Sequence, residues 1–302
     1  MTRKVILTIA PTGGMAHKNQ NPNLPTQPEE IANDVHDCYN AGASVVAIHA
    51  RRTDNMATCN PEIYREINRR IREKCDIIIN NSTGGGVHGD LTEGSENSQY
   101  QELIWEERIK GMDAKAEMCT LDPTTIICSF DKRELLMHTS PSRCEELAKG
   151  MQQRGIKPEW EVFSPTHLVQ DVNRLIEMGY DKPPYFINIV LNAHRGFQGA
   201  MPYTAENLQM MTNYLPNNSI FCVSGIGDAQ LPCIANSLLL GGHVRVGLED
   251  NLYYGPKKLA SNVELTERAV RIVRELGYEI ASPDEAREII GLSEPVGAEA
   301  YA

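Results

Sequence analysis

Val244-Arg245-Val246-Gly247-Leu248-Glu249-Asp250-Asn251 lies near the C-terminal end of the chain. A β-branched run that ends in glycine and then sets two carboxylates side by side reads as a buried strand with charge at its mouth. Successive side chains of a strand face opposite ways. Glu249 and Asp250 therefore share a face only if the strand has ended and the chain is turning. One carboxylate is then free to hold a metal or orient a group, and the other to move a proton. The competing reading is an acidic cap in front of a helix. Val45-Val46-Ala47-Ile48-His49-Ala50-Arg51-Arg52 has the same form, and so has Ile77-Ile78-Ile79-Asn80-Asn81-Ser82-Thr83-Gly84-Gly85-Gly86. In a barrel of alternating strands and helices, the C-terminal ends of all strands gather on one face, so three such polar tips converge on one pocket.

The rest of the chain repeats this alternation. Strands are expected at Val5–Ala10, Val45–His49, Ile77–Asn80, Ala116–Leu121, Trp160–Phe163, Tyr185–Leu191, Ile220–Val223 and Val244–Gly247, with Thr125–Phe130 an added strand or turn. Pro28-Glu29-Glu30 opens a helix with proline in its first turn and acids at its positive end, and Ala41-Gly42 stops it. Further helices are expected at Pro61–Lys74, Tyr100–Lys110, Ser142–Arg154, His167–Met178, Thr204–Tyr214, Asp228–Leu240 and Leu259–Leu276. Eight strands, and no GxGxxG after the first, favour a single-domain (β/α)8 TIM barrel over residues 1–302 rather than an open doubly wound sheet. The segment of about 82–113 is long and polar for a connection, contains the acidic Gly89–Glu96 part, and is expected to fold over the pocket.

Composition narrows the partners. The 302 residues accommodate a barrel of about 250 residues with additions. A net charge of −11 repels phosphate backbones, which argues against nonspecific nucleic-acid binding and for a small-molecule partner. The eight cysteines show no CxxC spacing and several lie in apolar runs, as reduced core residues of a cytosolic protein do. The apolar run after Lys4 is too short for a signal peptide and nothing reaches membrane-spanning length, so the cytoplasm is expected.

With the strand ends assembled, the chain resembles the β-keto acid cleavage enzymes, the family that includes 3-keto-5-aminohexanoate cleavage enzyme. The resemblance is carried nearly end to end, most strongly by PNLPTQPEEI (22–31), AGASVVAIHAR (41–51), STGGG (82–86) and VRVGLEDNL (244–252). It implies a (β/α)8 barrel that binds zinc and exchanges acyl groups, turning a β-keto acid and acetyl-CoA into a new acyl-CoA and acetoacetate. By the same resemblance, Glu249 is a metal ligand, Asp250 the general base and Arg245 the arginine that positions it. Ser82, or else Thr83, supplies a hydroxyl at the reacting centre, Thr120 supplies another, and His49 is the second histidine of a His-x-His zinc motif. The first histidine of that motif is Ala47 here, and the acid that often follows the first strand's Thr-Gly is absent.

The surrounding residues leave alternatives. His17 or His88 would replace the lost ligand or be ordinary loop histidines, and His194 with Arg195 would bind phosphate or carboxylate or sit in solvent. Arg51 and Arg52 would pair with a CoA phosphate or a substrate carboxylate, or with acids of the first helix. Thr83, Gly84 and Gly85 would cradle the cofactor's anion by backbone NH groups or form a plain tight turn. The expected activity is metal-assisted acyl exchange with acetyl-CoA. Its rivals are a CoA-independent retro-aldol lyase or hydrolase on the same barrel, and a barrel that only binds a small acid. The expected partners are a β-keto acid, acetyl-CoA and further copies of the same chain, with neither nucleic acid nor membrane.

Overall fold

The structure, a computed structural model, describes residues 2–93, 100–130, 133–293, 295 and 297–301. Eight runs rich in β-branched and aliphatic residues form strands β1 (Leu7–Ile9), β2 (Val45–Ile48), β3 (Ile78–Asn81), β4 (Met118–Leu121), β5 (Lys157–Val162), β6 (Tyr185–Leu191), β7 (Ser219–Gly225) and β8 (His243–Val246). Each pairs in parallel with its sequence neighbour, and β8 pairs with β1 through Arg245↔Thr8, closing the barrel. The expected (β/α)8 barrel is the fold observed.

Strand alternation sorts the side chains into two environments. Val46, Ile48, Ile79, Leu121, Trp160, Val162, Val244 and Val246 belong to the large apolar cluster that the helices cover. Inside the barrel, Ile6, Val45, Ile78, Met118 and Phe186 form a separate apolar layer. Two residues further along the same strands come Thr8, Ala47, Asn80, Thr120 and Asn188, all buried. The interior thus runs from apolar at the N-terminal ends of the strands to polar at their C-terminal ends.

The covering helices are α1 (Pro28–Ala41), α2 (Pro61–Arg72), α3 (Pro141–Gln153), α4 (Pro165–His167, Leu168–Val172 and Asn173–Glu177, with a π-helical middle), α5 (Ala205–Thr212), α6 (Gln230–Leu239) and α7 (Asn262–Glu275). An eighth helix, α8 (Pro283–Ile290), lies outside the sequence expectation. It closes the N-terminal end of the barrel by packing Ala286 and Ile290 on the inner apolar layer. Its Arg287 bonds Asp76 and Glu117, which fastens the plug to the barrel wall.

The long connection after β3 differs from expectation. Tyr100–Leu103 is a strand, not the start of a helix, because it finds a partner in Arg133–Met137. Tertiary pairing overrides local propensity there. With Thr92–Glu93 and Ile126–Phe130 these strands make a four-stranded sheet beside the barrel. Helix appears only at Trp105–Arg108, followed by a 3₁₀ segment, Ile109–Ala114. Leu91, Leu103, Trp105, Arg108 and Met112 are buried, so the described part of the connection is packed into the fold. Gly94–Glu96 of the expected acidic part lie outside the described residues.

Candidate active site

β8 delivers the central side chain. Val244 and Val246 face the helices, so Arg245 between them points into the barrel. Gly247 then turns the chain at φ 142°, where a Cβ would stand 2.0 Å from the Ala10 carbonyl oxygen; only glycine fits so close to the end of β1. Beyond it the chain folds back, with Asp250 N and Asn251 N donating to Gly247 O. This turn allows two consecutive carboxylates to reach one guanidinium. Arg245 Nε and Nη2 donate to Asp250 Oδ2 and Oδ1 at 3.0 and 3.1 Å, Nη2 donates to Glu249 Oε1 at 2.7 Å, and Nη1 donates to Glu161 Oε1 at 3.1 Å.

Glu161 and Glu159, both on the inner face of β5, do not figure in the sequence reading. Their signal was the alternation Glu159-Trp160-Glu161-Val162, which puts acids on one face and apolar groups on the other. Inside a closed barrel that acidic face is the interior. Glu159 takes a hydrogen bond from Asn80 Nδ2 at 2.5 Å, and Glu161 takes one from Asn188 Nδ2 at 2.9 Å. Three carboxylates thus hold one guanidinium, with Glu159 beside them on the inner face of β5, and burial sorts the four. Burial pushes Glu159 up to about 7 and Glu161 well above the usual carboxylate range, against the pull of Arg245. Burial acts on Glu249 as well, but Arg245 and His49 outweigh it and hold that carboxyl at about 2. Asp250 is raised, again by burial against Arg245.

His49 joins β8 to the glycine-rich turn. Its Nδ1 is 2.7 Å from Gly85 O and its Nε2 is 3.4 Å from Glu249 Oε1. A carbonyl can only accept, so Nδ1 carries a proton. Its other ring nitrogen, Nε2, is the one that faces the Glu249 carboxylate.

The hydroxyls predicted by the resemblance meet at the mouth of β3 and β4. Thr83 N donates to Thr120 Oγ1 at 3.1 Å, and Thr120 Oγ1 donates to Ser82 Oγ at 3.4 Å. Gly84 N and Gly85 N also donate to Ser82 Oγ, at 3.1 and 3.4 Å. Ser82 Oγ therefore only accepts from the described residues, which leaves its own proton as a donor for something else. The Thr83 hydroxyl donates to Thr120 O at 2.6 Å, so of the pair Ser82 and Thr83 it is Ser82 that is free to act. The same bonds revise the anion-cradle reading: the amides of Thr83, Gly84 and Gly85 are taken by these hydroxyls, and the run is a self-satisfied turn. Buried Arg108, from the long connection, fixes it by donating to Thr83 O at 2.7 Å and to Asp122 Oδ2 at 3.2 Å.

Arg51 is also revised. It is fully buried and donates to Gly13 O, Asn55 O and Ala16 O, which ties loops together rather than presenting a cation to a phosphate. Arg52 pairs with Asp54, not with the first helix. His17 and His88 stack on each other at 5.1 Å, with His88 Nδ1 accepting from Ala57 N. His194 and Arg195 lie in a 3₁₀ turn after β6 and line a cleft of about 350 Å³ with Ile127, Ser129 and Glu134, beside the four-stranded sheet.

His49 Nε2 and Glu249 offer a divalent metal two donors, and Glu249 Oε2 is buried with no hydrogen-bond partner among the described residues. Ala47 adds none, and among the described residues no three His, Cys, Asp or Glu side chains are grouped to hold an ion. The donor set fits a metal completed by oxygens of water or substrate.

The chain is a (β/α)8 barrel with an arginine clamped by carboxylates at its strand ends, where active sites of this class of protein lie. Residues 4–292 match the family model described as beta-keto acid cleavage enzyme. The chain is 38% identical over 295 residues to the 3-keto-5-aminohexanoate cleavage enzyme of Fusobacterium nucleatum subsp. nucleatum, covering 97% of this chain and 99% of that one. It is 33% identical over 303 residues to the 3-dehydrocarnitine:acetyl-CoA trimethylamine transferase of Rhizobium meliloti, covering 97% and 98%. Among solved structures, the apo structure of ObcA superposes with a TM-score of 0.70 at 18% identity, over 90% of this chain and 66% of that one. The chain belongs to the β-keto acid cleavage enzyme family.

Proposed function

We propose that this enzyme exchanges acyl groups between a β-keto acid and acetyl-CoA, releasing acetoacetate and a new acyl-CoA. The observation that carries this reading is Asp250, held by both oxygens on Arg245 at the barrel mouth. A carboxylate fixed in this way is oriented for one task, removal of the proton from the carbon between the keto and carboxylate groups. The resulting enolate carbon attacks the thioester carbonyl of acetyl-CoA and forms the new carbon-carbon bond. The released CoA thiolate adds to the original keto carbon, the old carbon-carbon bond breaks to leave the acetoacetate enolate, and Asp250 returns its proton to that carbon as acyl-CoA and acetoacetate leave. Every atom of the two substrates is retained in the two products.

The Ser82 O–H, polarised by the three donors that converge on its oxygen, hydrogen-bonds the oxygen on which negative charge develops. Arg245 spends its donors on three carboxylates, so it positions Asp250 rather than binding substrate directly. A divalent metal, zinc by resemblance, would be held by His49 and Glu249 and would supply polarisation of the keto oxygen. The names of the relatives support acetyl-CoA as co-substrate. A cytoplasmic setting is supported by eight cysteines that are all thiols, seven of them buried. Among the described residues no helix is long and apolar enough to cross a membrane. A homo-oligomer is supported by Leu231 and Leu239, exposed eight residues apart on α6.

The test is incubation of the purified protein with a panel of β-keto acids, with and without acetyl-CoA, following acetoacetate and acyl-CoA by mass spectrometry. Products that need acetyl-CoA support the exchange. Cleavage at the same rate without it would instead make the protein a lyase or hydrolase.

A further inference from the structure

Asn262 is the first residue of α7, and its side chain is fully buried. Its Oδ1 accepts from Leu248 N at 2.9 Å, while its Nδ2 donates to Pro11 O at 3.1 Å and to Asp34 Oδ2 at 2.7 Å. With two acceptors on one side and an N–H on the other, only one orientation of the amide satisfies all three partners. These partners belong to the walls around Glu249. Leu248 immediately precedes it, and Glu249 N itself donates to Ala10 O, just before Pro11. Two residues after Pro11, Gly13 packs so closely on Glu249 that a Cβ there would lie 2.7 Å from its Cγ. One side chain therefore fastens the loop after β1 to the turn after β8, and both flank the carboxylates that share Arg245. Gln230 supports the same turn from α6 through Gly247 O, at 3.1 Å.

We propose that Asn262 is a positioning residue of the exchange reaction: by holding the Leu248 amide and the Pro11 carbonyl at once, it sets Glu249 and Asp250 against Arg245. This rests on the reading of those three residues as the reacting machinery. Asn262 touches none of the reacting atoms, and its effect reaches them through the turn. A misplacement of about 1 Å at such carboxylates costs roughly 10²-fold in rate.

The variant that tests it is Asn262→Asp, which keeps an acceptor for Leu248 N but loses the donor to Pro11 O and faces Asp34 with a second acid. The control is Asn68→Ala. Asn68 is equally buried, and its Nδ2 ties α2 to Ala114 O, away from the C-terminal ends of the strands. Two readouts are taken on folded protein: the kcat and KM of exchange, and the Arg245 Nε–H resonance by NMR. The expected result for Asn262→Asp is a kcat lower by roughly 10- to 100-fold with the acetyl-CoA KM nearly unchanged, and a shifted Arg245 resonance. Asn68→Ala should lower Tm and leave both readouts in place. If adjacent acids at 34 and 262 prevent folding, Asn262→Ala takes the place of Asn262→Asp. An unshifted Arg245 resonance, or a kcat equal to that of wild type, overturns the proposal. A wild-type protein inactive on every keto acid would instead refute the assigned reaction, and the Arg245 resonance would still decide the role of Asn262.

Discussion

Arg245 grips Asp250 by both carboxylate oxygens, from Nε at 3.0 Å and Nη2 at 3.1 Å. Asp250→Asn keeps the shape of the side chain but removes the proton acceptor. Turnover should fall by roughly 10² to 10⁴. Glu249 stays charged and paired with Arg245, and Glu161 still accepts a hydrogen bond from it, so the variant should fold. Wild-type kcat in Asp250→Asn would end the assignment of this residue as the base.

Arg245→Lys should lose both turnover and stability. One ammonium cannot reproduce a fork that serves Asp250, Glu249 and Glu161 together. Leaving buried carboxylates unpaired typically costs about 3–5 kcal/mol. Chemical denaturation and steady-state kinetics should move together, and a lysine variant with normal kcat would show that the bidentate grip is dispensable.

Glu159 makes stability depend on pH. Its folded carboxyl sits at about 7, above the ordinary 4.5 that it regains on unfolding. Between these values the native state holds a proton that the unfolded chain has released. The contribution of Glu159 to the unfolding free energy therefore falls as pH rises from about 4.5 to about 7, by roughly 3 kcal/mol, and changes no further above that. Glu159→Gln keeps an acceptor for Asn80 and should flatten that slope in urea melts. An unchanged slope would place the titrating group elsewhere.

Zinc retention tests the proposal that His49 and Glu249 hold a metal. Residues 47 and 49 project from one face of β2, so Ala47→His adds an imidazole beside His49. After dialysis against a weak chelator, Ala47→His should hold more zinc than wild type, and His49→Ala should hold less. Wild-type zinc content in both variants would move the metal away from His49 and Glu249.

Much of the site could be read from the sequence because it lies where apolar runs stop. Arg245, Glu249, Asp250, His49 and Ser82 each sit at or just beyond the end of a strand, and the eight-strand count placed those ends on one face. Glu159 and Glu161 were obscured because charge inside a strand reads as solvent-facing until closure of the barrel turns that face inward. Arg51 was misread for a related reason. A guanidinium after a strand looks available for ligand, and only the tertiary structure shows three carbonyl oxygens already bonded to it. Tyr100–Leu103 became a strand through pairing with Arg133–Met137, 34 residues away in register (Glu134↔Tyr100), in a region no local pattern connects. Asn262 carries no motif, since its partners Pro11, Asp34 and Leu248 come from three separate parts of the chain.

The plug at the N-terminal end of the barrel has a practical meaning. Lys4–Val5 runs alongside Glu279–Ile280, α8 seals the floor just beyond, and Ala300 and Tyr301 bond Lys115 just before β4, so both ends of the described chain lie at the N-terminal end of the barrel and away from Asp250. A tether fused at either end would leave the molecule standing upright on a bead or electrode. Keto acid and thioester would then arrive from the free side.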